Sequence, residues 1–126
     1  MDTKINVVNL TEKKVNYTNK NSGSNKLKSM RNFFDKLLQG KVIDYLFKTL
    51  GEEKAKKVHI HFSKIEYGDK GEIRHLTMED NKYGPEFEPL AKLLKEYNME
   101  PVVICESSEL MAHDALILKN IYDNVK

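Results

Sequence analysis

A chain of 126 residues holds material for one domain. With 40% hydrophobic residues and a net charge of +2, its composition suits a soluble protein and selects no partner class. The lone cysteine, Cys105, excludes an intrachain disulfide, and no run is apolar enough to span a bilayer. The opening MDTKINVVNLTEKK lacks a stretch of signal-peptide length, so a cytoplasmic location is expected and the sequons at Asn9 and Asn16 carry no meaning. Lysines are in excess in the first half, which reads as a solvated face before it reads as a phosphate surface.

Residues 1–25 form a poorly defined N-terminal segment, with a short strand expected from Ile5 to Leu10 and a polar linker from Asn16 to Asn25. Helical spacing begins near Lys26, with Leu27, Met30, Phe34, Leu37 and Leu38. Gly40 is expected to interrupt that helix, which resumes over Lys41 to Leu50 and ends at Gly51. A charged run, Glu52 to Lys57, leads into the apolar stretch VHIHF. Ser63 to Tyr83 is a long polar loop with room for a small hairpin around YGDKGE. GPEFEPLAKLLKEYN predicts a helix from Gly84 to Asn98, opened by a proline, with Phe87, Leu90, Leu94 and Tyr97 as its buried stripe. Pro101 starts a second strand, PVVICES. Ser107 or Ser108 caps a last helix that carries Leu110, Ala115, Leu118 and Ile121. The second half thus reads βαβα, which favours parallel strands.

The chemistry starts from strand parity. Alternation puts Val58, Ile60 and Phe62 on one face, and His59, His61 and Ser63 on the other. In the second strand Val102, Ile104 and Glu106 share a face, and Cys105 points the opposite way, toward the helices. A carboxylate ending a Val-Val-Ile-Cys run is costly to bury alone, and a cation would offset the cost. Imidazole nitrogen with carboxylate oxygen is the ligand chemistry of zinc and related ions. His59 and Glu106, on neighbouring strands, are therefore expected to converge on one ion. The intervening loop adds Glu72 and His75, with Glu79 and Asp80 beyond them. The plainer alternative is a strand histidine that is hydrogen-bonded and inert. His61 is read as a group that contacts substrate or supports a ligand, and Lys64 as a candidate for an anionic substrate or a solvated lysine. His113, with no ligand partner at helical spacing, is read as a surface or packing residue.

Taken together, VHIHFSKIEY, GEIRHLTMED, YGPEFEPLAKLL and PVVICES resemble the carboxyl-terminal part of the endonuclease IV group. The resemblance runs from about Lys56 to Tyr122, is weaker from Asn25 to Gly51, and is missing before Asn25. It implies an α/β fold: a partial TIM barrel made of the last two βα units and a preceding helical segment, over residues 26–126. It implies a metal-dependent phosphodiesterase acting on DNA with abasic sites, with Zn2+, or Mn2+ or Mg2+, as cofactor. Carried over by position, His59 and Glu106 match strand ligands. The family's Asp-x-His loop pair falls on Glu72 with Arg74 or, after a one-residue slip, His75. His59, His75 and Glu106 would then be ligands, with Glu106 and Glu72 in the catalytic roles. A complete barrel of this kind takes about 250 residues. The resemblance therefore also implies a fragment whose open interior is covered by a complementary chain or a second copy. A sugar-phosphate isomerase or epimerase of the same superfamily, and a non-catalytic remnant, are the alternatives.

Overall fold

A computed structural model describes residues 4–5 and 25–126. Residues 6–10 of the expected first strand and 16–24 of the expected linker lie outside that set, as do the side chains of Leu27, Met30 and Phe34. The described elements, in order, are β1 (Lys4–Ile5), α1 (Asn25–Leu50), α2 (Glu52–Lys56), β2 (His59–Phe62), β3 (Lys64–Gly68), β4 (Gly71–Leu76), α3 (Glu88–Glu96), β5 (Val102–Cys105) and α4 (Met111–Asn124).

β1, β2 and β5 form a parallel sheet in the order β1-β2-β5, and β3 pairs with β4 as an antiparallel hairpin. The expected partial TIM barrel is overturned. The described strands make two small separate sheets that do not close on one another. Closure needs a run of tilted strands of matched length. Here the described part of β1 is two residues long, and the link from β2 to β5 spends thirteen residues, 64–76, on a hairpin of its own. What holds is the local rule: β2 and β5 are adjacent and parallel, with α3 on the connection between them.

The core forms where alternation in the strands meets the helical stripe. Val58, Ile60, Phe62 and Cys105 are buried with Phe87, Leu90, Leu93, Leu94 and Leu118. Phe62 and Phe87 meet edge to face at 4.9 Å between ring centres. On the opposite face of the parallel sheet the β5 residues are left open among the described residues. Val102 is 53% exposed and Ile104 39%, although parallel sheets are normally covered on both faces.

Several boundaries differ from the sequence expectation. Gly40 does not interrupt α1, which runs unbroken from Asn25 to Leu50. A Cβ on Gly40 would lie 3.7 Å from Leu93 on α3, so the glycine sits where the two helices pack closely. α3 begins at Glu88 rather than Gly84, and the proline of its first turn is Pro89, not Pro85. α4 begins at Met111 after an N-cap at Leu110, with no side-chain cap from Ser107 or Ser108. The buried positions of α4 are Asp114 and Leu118, while Leu110 and Ala115 are exposed. The expected hairpin extends well past YGDKGE and takes up most of the long polar loop.

Candidate functional site

The backbone places the site before any side chain does. In β2 and β5, His59 pairs with Val102, His61 with Ile104 and Phe62 with Cys105. Paired residues of neighbouring strands share a face, so His59, His61, Val102 and Ile104 lie on the open side. The Glu106 N–H donates to the Phe62 carbonyl at 3.1 Å, which carries the ladder one rung past β5 and keeps Glu106 on that side.

His61 and Glu106 then meet directly, His61 Nδ1 hydrogen-bonding to Glu106 Oε1. A carboxylate only accepts, so neutral His61 carries its proton on Nδ1 and presents a lone pair on Nε2. That Nε2 is buried and finds no hydrogen-bond partner. The second carboxylate oxygen of Glu106 lies 3.9 Å from Nδ1 of His75, delivered by β4. His75 is itself held on both sides: Ser63 Oγ is 2.6 Å from Nδ1, and Glu72 Oε1 is 2.9 Å from Nε2. Neutral His75 therefore donates from Nε2 to Glu72 and accepts from the Ser63 hydroxyl, the reverse of the tautomer of His61. Both imidazoles are partly buried, and Glu72 and Glu106 are about one-third exposed, so the cluster borders solvent.

The remaining expected residues lie elsewhere. His59 is on the open face, but its register partner Val102 is four residues before Glu106, about 13 Å along the strand at ~3.3 Å per residue. That separation is too long for His59 and Glu106 to share one ion. Lys64 is 3% exposed, and its ammonium is bound internally by the Asp80 carbonyl and by Glu86 Oε1 at 3.3 Å. Its charge is thus met within the protein rather than offered to an anion. Glu79 pairs with His113 at 3.2 Å on the surface. Asp80 caps its own turn by accepting from the N–H groups of Lys82 and Tyr83. Cys105 points into the core, where burial and the Asp114 carboxylate push its thiol up from the usual range. Sequence reasoning gave Ser63 a place on the histidine face but no partner. The signal was its even spacing from His61; what was missing was the fold of β4 that brings His75 to it.

The donor chemistry fits a divalent cation in part. A buried imidazole nitrogen without a partner, whose other nitrogen is held by a carboxylate, is the arrangement of a metal-ligating histidine. Among the described residues, no three His, Cys, Asp or Glu side chains are grouped to hold an ion by themselves. No described helix is long and apolar enough to cross a membrane.

No protein-family model matches the chain, and no solved structure matches it. An uncharacterised protein of Methanocaldococcus jannaschii is 35% identical over 85 residues. The matched segment is 68% of this chain but 30% of that protein, so the chain spans under a third of the relative's length.

Proposed function

We propose that this chain carries part of a divalent-cation-dependent site that hydrolyses a phosphodiester, as in the endonuclease IV group that its His strand, His loop and strand-end Glu resemble. The observation that carries the reading is His61, oriented by Glu106 through Nδ1 and left with a buried, unpartnered Nε2. An unsatisfied buried acceptor costs about 1–3 kcal/mol. A structure retains such a group most readily where a ligand satisfies it.

His61 Nε2 would hold the ion, with Glu106 behind the ring on Nδ1, where it orients the imidazole rather than ligating, and His75 beyond Glu106. A bound divalent ion would supply Lewis-acid polarisation of a phosphoryl oxygen. The chain's own residues do the rest of the positioning. Glu106 fixes the tautomer of His61 and raises its basicity. Ser63 and Glu72 fix His75 from either side. Further ligands must come from outside the described residues, and the uncovered face around Val102 and Ile104 is the surface on which more protein would sit. A complementary chain or a second copy meets that need, and DNA with abasic sites is the substrate class the resemblance implies.

Zinc titration calorimetry on the purified chain tests the reading. His61→Ala and Glu106→Gln should each weaken zinc binding by roughly tenfold or more, while His59→Ala should leave it nearly unchanged. Zinc binding that is absent, or indifferent to His61, overturns the proposal. Nicking of an abasic-site oligonucleotide, set against isomerisation of a ketose phosphate, separates hydrolysis from the sugar-phosphate alternative.

A further inference from the structure

Glu72 and His75 are three residues apart on one strand, yet their side chains touch at 2.9 Å. In a regular strand, residues an odd number apart point to opposite faces. The pairing of the hairpin explains the contact. Lys64, Ile65 and Glu66 pair with Leu76, His75 and Arg74, but Tyr67 pairs with Glu72 and Gly68 with Gly71. Ile73 is skipped, so β4 carries one extra residue between Arg74 and Glu72. Ile65 and Tyr67 share a face, and their partners His75 and Glu72 therefore share it as well.

We infer that the one-residue bulge at Ile73 is a positioning device for His75, which brings the Glu72 carboxylate onto the imidazole face and fixes the Nε2–H tautomer. Without the bulge, Glu72 would pair with Gly68. It would then join Glu66 and Arg74 on the other face, where Arg74 Nε already donates to Glu66 at 2.7 Å. The Ile73 side chain itself is 61% exposed, so burial in the core does not account for the extra residue. The hairpin makes room for it: a Cβ on Gly68 would come within 3.0 Å of Ile73 Cδ1. With Glu72 on Nε2, Nδ1 of His75 is left to Ser63 and faces Glu106.

The inference rests on the His75–Glu72 contact for its spectroscopic part, and on the cation reading above only for any effect on zinc. Long-range 1H–15N spectra of the imidazoles test it on the metal-free chain. Wild type should show His75 as the Nε2–H tautomer with a protected proton. Inserting one alanine between Glu66 and Tyr67 gives Ile73 a partner, makes the strand regular and turns Glu72 to the other face. It should remove that protection and speed exchange of the Nε2 proton by roughly tenfold or more, as expected for loss of a hydrogen bond to a charged group. Ile73→Ala, which keeps the residue count, should leave the His75 signals in place. Should the insertion variant fail to fold, the exchange pair Glu72→Ile with Ile73→Glu decides, because it preserves both composition and bulge while moving the carboxylate by one position. Loss of the His75 signature in that pair supports the inference. A wild-type His75 spectrum in the insertion variant or in the exchanged pair overturns it, whatever zinc does.

Discussion

His61 and Glu106 occupy neighbouring parallel strands two residues apart in register, and the Nδ1–H of one donates to the carboxylate of the other. Neither side chain has another fixed partner of comparable closeness: the second contact of Glu106 is His75 at 3.9 Å, and His61 Nε2 has none. The pair is therefore the point from which the rest of the site is measured.

The tautomer of His61 follows from that pair. Imidazole 15N shifts at neutral pH should report a proton on Nδ1 and a bare Nε2, opposite to His75. Glu106→Ala should release the ring to a tautomer mixture, whereas Glu106→Gln, whose amide oxygen still accepts, should largely preserve it. A wild-type His61 with its proton on Nε2 would contradict the geometry.

The two faces of the parallel sheet predict unequal mutational costs. Phe62 is buried against Phe87, and Phe62→Ala should destabilise the chain by about 3–5 kcal/mol in urea unfolding. Ile104→Ala, on the open face, should cost much less, about 1 kcal/mol or under. Equal costs would mean that the open face is covered in solution.

Asp114 ties the loop after β4 to the last helix. It is fully buried and accepts from the Met78 N–H at 2.9 Å. Asp114→Ala leaves that buried N–H without a partner, at a cost of about 1–3 kcal/mol. Hydrogen exchange at Met78 should accelerate in the variant; an unchanged rate would show that the bond contributes nothing.

Cys105 sets an alkaline limit. Burial first, and the Asp114 carboxylate second, raise its thiol above the ordinary value of 9.0. The folded state therefore keeps the proton longer than the unfolded chain does. Its stabilising contribution is complete below pH 9.0 and is lost as pH rises from there toward the folded value. The Tyr97 phenol, which donates to Asp44, is raised from 10.0 mainly by that hydrogen bond and acts in the same direction. Thiolate absorbance near 240 nm should appear at higher pH in the folded chain than in urea, and Cys105→Ala should flatten the first part of the alkaline stability loss.

The strands and their two faces were legible in the sequence because alternation of apolar and polar residues is a local property. Val58, Ile60 and Phe62 are buried and His59 and His61 lie opposite, as parity requires. The stripe Phe87, Leu90, Leu94 was legible for the same reason, since helical spacing is read within a few turns. Gly40 misled because its reason lies across the interface, in the close approach of Leu93. Pro85 misled because a proline fits both a loop and a first helical turn, and the helix opens on Pro89 instead.

By itself the sequence determined which side chains share a face and that an imidazole strand and a carboxylate strand belong to one parallel pair. Tertiary structure alone decided which imidazole reaches Glu106, because register is a choice between strands far apart in the chain. A slide of two residues would preserve every face yet exchange His61 for His59. It also decided how many strands assemble, and the small open sheet in place of a barrel is a matter of long-range pairing that no local period encodes.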